Sequence, residues 1–268
     1  MSQSNDTIRK TLIVAVLLSL VFSVVVSTAA VTLRPAQQHN EQLNLRSNML
    51  QAAGLLSPGA SDQEIEELFN EFEVHLVEMG TGETVSADRV NAESAEAYDH
   101  RRAARNPDLS RALDDDPAGI NRMVKYNKAY VLRNDDGSIE RIVLPVHGYG
   151  LWSTMYGFLA LEGDANTVAG LGFYEHGETP GLGGEIDNPR WIAQWPGKKI
   201  YDEDGNFQEP RIRLVQGGAD RDSDDIQHKV DGLSGATLTA RGVERTMNFW
   251  LGDQAFAQFL EKARAGEV

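Results

Sequence analysis

The chain has no cysteine in its 268 residues. That excludes disulfides, thiolate-bound iron–sulfur clusters and thiolate zinc sites. Any redox chemistry must then come from a bound organic cofactor or a partner. Positive charge is scarce too: 25 Lys and Arg stand against 40 Asp and Glu, a formal charge of −15. Such a chain is ill suited to nucleic acid, whose phosphates need a basic face. Its globular part is equally ill suited to adsorption on anionic lipid.

The usual catalytic signatures are missing as well. The six histidines, His39, His75, His100, His147, His176 and His228, form no H-x-x-x-H pair, which disfavours a histidine metal site. The segment His147–Trp152 fails G-x-G-x-x-G, and no glycine-rich loop runs into G-K-[ST], so neither a Rossmann fingerprint nor a P-loop is present. Ser234 does not sit in G-x-S-x-G, which argues against a hydrolase. Asp220–Asp225 opens like a calcium loop but lacks the glycine at its sixth position and the glutamate at its twelfth, where Asp231 stands. A solvated acidic loop is expected there.

What is present begins with an apolar run. Thr11–Leu33 contains neither charge nor proline. At 1.5 Å per residue it reaches about 34 Å, enough for a hydrocarbon core of about 30 Å. Arg9 and Lys10 precede it. The expected layout is a cytoplasmic N-terminus over 1–10, a transmembrane helix over 11–33 in the bacterial inner membrane, and residues 34–268 outside, which is the periplasm if the cell is Gram-negative. Ser27-Thr28-Ala29-Ala30 offers small residues to a signal peptidase, yet the run exceeds the usual signal core of about 7–15 residues.

Beyond the run, Arg34-Pro35 predicts a helix break and Glu41–Ala53 a second helix. Ser57-Pro58-Gly59 reads as a turn, and Ser61-x-x-Glu64 as a capping box opening a helix to Phe72 with Ile65, Leu68, Phe69 and Phe72 buried. Glu73–Glu78 reads as a strand. Residues 91–121 read as a solvated surface excursion, helical over Ala92–Arg105. Strands are then expected at Ala129–Arg133, Ile139–Val146, Met155–Leu161 and Val168–Tyr174, with a hairpin turn at Asn134–Gly137. Close spacing without intervening helices favours antiparallel pairing. The expected class is α+β, with a twisted, mainly antiparallel sheet flanked by helices.

Three segments carry candidate chemistry. Two glycine-bearing loops, His147–Trp152 and Glu175–Glu185, follow strands. Their glycines would let backbone approach a flat ring, with Leu151, Trp152 and Leu182 against its apolar faces. The plainer reading is two tight turns. The third segment, Asp231–Thr237, places Ser234, Gly235 and Ala236 before Thr237, and the following Ala240, Val243, Met247, Trp250 and Leu251 mark one face of a helix. Thr237 is thus expected at a helix N-terminus, where backbone amides favour an anion. The plainer reading is an ordinary Ser/Thr cap.

The string Asp231-x-x-Ser234-Gly235-Ala236-Thr237 resembles the flavinylation motif D-x-x-[ST]-G-A-T, in which an FMN transferase esterifies the last threonine with the phosphate of FMN. Glu178-Thr179-Pro180-Gly181-Leu182-Gly183 is similar to a segment of FMN-binding domains that carry that motif. With the apolar run, Gly150-Leu151-Trp152 and Trp191–Lys198, nearly the whole chain resembles the NqrC family of the Na⁺-translocating NADH:quinone oxidoreductase. The resemblance implies a membrane-anchored electron relay within an NADH-driven sodium pump of six subunits. It implies FMN bound covalently at Thr237, with Ser234, Gly235, Ala236, Gly150, Leu151, Trp152, Glu178, Thr179, Leu182 and Gly183 around the cofactor. It also implies no acid–base pair and no separate substrate pocket. The alternatives are the G subunit of the related ferredoxin:NAD⁺ oxidoreductase, and an anchored scaffold domain without redox function.

Overall fold

The computed structural model describes residues 8–57, 59–202, 207 and 209–268. Most of the expected cytoplasmic N-terminus, and Pro58 of the expected turn, lie outside the described residues. The chain divides into two units, one ending at Leu45 and one spanning Arg46–Val268. Helix α1 (Ile8–Ala52) supplies the first as far as Leu45. It is the one helix among the described residues long and apolar enough to cross a membrane, with an 18-residue window of mean hydropathy 2.7. Leu17, Val21, Val25 and the other apolar side chains of the run are exposed. Pro35 lies inside α1, which corrects the expected break and separate second helix. Proline removes one backbone donor and crowds the preceding turn, at about 3 kcal/mol. Good helix formers beyond it, Ala36, Gln37, Gln38 and Glu41, carry the helix on.

In the second unit the end of α1, with Met49, Leu50 and Ala52 buried, is followed by α2 (Asp62–Phe69). Ser61 caps it, its Oγ accepting from the Glu64 N–H at 3.2 Å. Ile65, Phe69 and Phe72 are buried as expected, although the helix itself stops at Phe69. Then come β1 (Glu73–Glu78), β2 (Thr84–Val85), α3 (His100–Ala103), β3 (Ser110–Ala112), β4 (Arg122–Val124), β5 (Tyr126–Arg133), β6 (Ile139–Tyr149), β7 (Thr154–Glu162) and β8 (Val168–Glu175). After the sheet come α4 (Pro189–Ile192), β9 (Arg213–Val215), β10 (Lys229–Asp231), α5 (Thr237–Trp250) and α6 (Ala257–Ala265). Six strands form one antiparallel sheet in the order β2-β1-β5-β6-β7-β8. Its main core joins Leu144 and Leu159 to Val243, Met247 and Trp250 of α5 and Phe259 of α6. Phe158 belongs to another group, with Tyr130 and Phe69 of α2. Helices therefore cover both faces, as an α+β sheet with alternating burial requires.

Two expectations for the 91–121 segment are corrected. The long helix is only His100–Ala103, because the Asp99 carboxylate accepts from the Arg102 N–H at 3.0 Å and starts it there. The few large apolar residues before it give a longer helix nothing to pack on. The segment is also more than a solvated excursion. Tyr98 is 4% exposed and donates its hydroxyl to the Tyr126 carbonyl at 3.0 Å. Arg101 lies 3.7 Å from the Tyr156 ring centroid and forms a two-pronged ion pair with Glu175. These contacts tie it to β5, β7 and the end of β8.

The indole of Trp250 is fully buried and donates to the His147 carbonyl at 2.6 Å, joining α5 to β6. Replacing Trp250 by Ala is expected to lower unfolding free energy by about 3–5 kcal/mol, measured by urea titration of the full chain in detergent. A change within about 0.5 kcal/mol, the range of ordinary surface substitutions, would contradict this packing.

Candidate cofactor site

The site is assembled around Glu178. β6 and β7 pair through Tyr149↔Thr154, so the chain between them must turn within Gly150–Ser153. Because β6 runs to Tyr149, His147, Gly148 and Tyr149 belong to the strand and not to the expected loop. The Glu178 side chain, 5% exposed, enters this turn from the second loop. One carboxylate oxygen accepts from the N–H groups of Leu151 (3.0 Å), Trp152 (2.9 Å) and Ser153 (3.3 Å). The other accepts from the Thr239 hydroxyl of α5 at 2.6 Å. A Cβ on Gly150 would sit 2.6 Å from the first oxygen, and one on Gly183 2.8 Å from the second. Only glycine at both positions leaves room for the carboxylate.

Burial pushes the Glu178 carboxyl up, but the Thr239 hydroxyl and the three amides outweigh it and hold it below its ordinary 4.5. The second loop has further ties. The Gly177 N–H donates to Ser153 Oγ at 2.6 Å. The Thr179 carbonyl accepts from Leu182 and Gly184. His176 Nδ1 accepts from the Glu178 N–H at 3.2 Å, which leaves Nε2–H to donate to Asp187 at 2.6 Å. His176 therefore serves the loop's own geometry.

The third segment reaches the same place. Thr237 is the first residue of α5, with Ala236 as N-cap and no capping side chain, so the plain cap reading of Ser234 and Thr237 is not what the structure shows. Gly235 has φ +72°, and a Cβ there would lie 3.1 Å from Leu182 of the second loop. Asp231 anchors the motif from behind. Its carboxylate accepts from the Ala219 N–H at 2.8 Å and the Arg221 guanidinium at 2.6 Å. Its carbonyl accepts from the Trp191 indole at 2.8 Å, and its N–H donates to Gln194 at 3.1 Å. The Trp191–Lys198 segment is thus part of the frame that holds the threonine.

Two environments meet at the start of α5. Outside α1, the exposed large apolar side chains among the described residues are Tyr149, Leu151, Trp152, Leu182 and Leu238. All belong to the two loops, the strand end before them or the first turn of α5. On another flank of the helix, a cavity of about 400 Å³ is lined by Thr237, Ala240, Arg241 and Glu244 of α5, by residues 213–216 and by Lys229. Sequence reasoning missed this flank. β9 and β10 are three-residue strands that pair in parallel, Lys229↔Arg213, and so short a strand carries too little alternation to be read.

The FMN-binding domain family matches residues 150–252, a span that opens at Gly150 of the first loop and includes all of α5. The C subunit of the Na⁺-translocating NADH-quinone reductase from Pseudomonas aeruginosa is 45% identical over 268 residues, covering 99% of both chains. The same protein from Vibrio vulnificus is 49% identical over 266 residues, 98% of each. The chain belongs to this family, NqrC. A crystal structure of NqrC from Shewanella oneidensis superposes with a TM-score of 0.73 at 36% identity, covering 86% of this chain and 99% of that one. Membership of the NqrC family does not favour the ferredoxin-linked alternative, although both readings share the threonine motif. It also makes the chain an FMN-binding member of a membrane complex with other subunits.

Within the NqrC frame, Glu178 makes a direct prediction. Its folded-state value lies below the unfolded one, so its contribution is complete above pH 4.5 and is lost as pH falls below that value. Glu178→Gln keeps the shape but removes the charge. It is expected to cost about 1–3 kcal/mol near neutral pH and to flatten the loss of stability below pH 4.5. Thermal unfolding of parent and variant across that range measures both effects.

Proposed function

We propose that the chain carries covalently bound FMN on the outer face of the membrane, joined through a phosphoester at Thr237. The family establishes an FMN-binding relay subunit of an NADH-driven sodium pump that passes electrons towards quinone. The attachment is our reading, and the observation that carries it is the state of Thr237. It stands half-buried at the first position of α5, at the edge of a cavity, with no capping side chain over the first-turn amides. The fit of the residues to the group is good. A phosphate on Thr237 meets uncapped amides and the positive end of the helix dipole. Gly235, Ala236 and Ser234 leave the approach open.

When bound, the flavin supplies the electron-transfer chemistry of the protein. The chain's own residues place and surround it. We assign the apolar ring to the patch formed by Leu151, Trp152 and Leu182, where Trp152 is 64% exposed and large apolar groups otherwise meet water. Gly150, Glu178 and Gly183 shape the loops that present this patch, and Thr179 holds the turn of the second. No acid or base is required, since the protein moves electrons and cleaves no substrate. Arg9 and Lys10 on the near side of the apolar span favour residues 34–268 in the periplasm and residues 1–10 in the cytoplasm. In that layout the partners are the other members of a complex of six subunits, and an FMN transferase during maturation.

Thr237→Ala is expected to abolish covalent flavin while the full-length chain still accumulates. Co-expression with the transferase, followed by in-gel flavin fluorescence after denaturation, reads the outcome. A fluorescent variant band at the parent's intensity places the attachment elsewhere.

A further inference from the structure

The cavity beside Thr237 contains an unusual concentration of positive charge for this chain. Arg213, Lys229 and Arg241 line it together with a single carboxylate, Glu244, whereas the whole molecule carries −15. The three cations are not equivalent. Lys229 is committed to Asp225 at 2.6 Å. Glu244 accepts from the Leu214 N–H at 2.6 Å and stands only loosely paired with Arg213, at 3.9 Å. The Arg241 side chain has no ion pair or hydrogen bond among the described residues. It lies one turn along α5 from Thr237, so the two share a helix face. Thr239, two residues on from Thr237, faces the other way, into the Glu178 clasp. The helical period therefore directs Thr237 towards the arginines and away from the acidic loop junction.

We propose that Arg241 and Arg213 bind the phosphodiester of the Thr237-linked flavin in this cavity, as positioning residues that fix the tether and hence the placement of the ring. The inference rests on covalent attachment at Thr237. A guanidinium fork matches two phosphate oxygens, which a lysine point charge does not. The cavity opens where the ester would stand, and Arg213 exchanges only a long contact with Glu244 for this one. The phosphodiester charge then answers the unpaired cation.

The test is phosphorus NMR on the full chain in detergent, produced with the transferase, with each sample checked for covalent flavin in a denaturing gel. In the parent, the phosphodiester resonance is expected to be shifted and broadened relative to the same protein unfolded in urea. In the double variant Arg213→Gln/Arg241→Gln it is expected to move to the unfolded-chain position, with partial return in Arg213→Lys/Arg241→Lys. Arg245→Gln, at an exposed position of α5 outside the cavity, is expected to match the parent. If the parent itself carries no covalent flavin, the attachment fails and this inference falls with it. If the parent is loaded but its resonance is unchanged in the glutamine pair, the attachment stands and only the arginine assignment is overturned.

Discussion

A carboxylate buried to 5% exposure must find hydrogen-bond donors, and Glu178 finds four of them on two separate pieces of chain. Three are consecutive backbone amides of the turn between β6 and β7, and the fourth is the Thr239 hydroxyl. An isolated buried charge is costly, whereas a charge with a complete set of donors stabilises whatever geometry provides them. The position of the Leu151–Trp152 turn, the path of the second loop and the start of α5 are therefore coupled through one side chain. Moving any of them would leave the carboxylate short of a partner.

This coupling explains why large apolar side chains can stay exposed in an orderly way. Trp152 and Leu182 sit on loops whose backbones are already satisfied, so their rings and methyls need not turn inward to find structure. Leu182 also lies over the glycine of the threonine motif, 3.1 Å from where a Cβ on Gly235 would stand, bringing the apolar patch close to Thr237. Behind that edge, Asp231 does for the motif what Glu178 does for the loops. Its side chain and backbone gather the Trp191–Gln194 turn and the 219–221 segment. The result is a rigid frame with two flanks, apolar on one side and cationic on the other. An FMN has the same division, a flat apolar ring and an anionic phosphate, and a relay cofactor gains from being held in one place.

The 91–121 segment shows how far composition alone can mislead. Its charges and small residues read as surface, and much of it is exposed. Tyr98, Ala103 and Ala118 are nonetheless part of the core, and the Arg101 guanidinium caps the Tyr156 ring while pairing with Glu175. A few anchors separated by turns have no period for a sequence window to detect. Pro35 misleads in the opposite direction: a local rule forecasts a break, and strong helix formers override it.

The apolar run, the central strands, the Ser61 cap and the Asp231–Thr237 string were legible in the chain order because each is local. Hydropathy, alternation and a helix's period are properties of neighbouring residues, and a threonine motif is read within seven positions. The roles of the site residues were only partly legible. Glu178 was placed correctly in the second loop, but its task of receiving three amides from the first depends on contacts across 25–27 positions. The cationic flank was invisible, since Arg213, Lys229 and Arg241 meet only when two three-residue strands pair in parallel beside α5. Sequence alone therefore determined the apolar run, the central strands and the helix that follows the threonine motif, because each is a pattern of near neighbours. Tertiary structure decided what surrounds that motif, because long-range charge and packing are set by which distant segments come to share a surface.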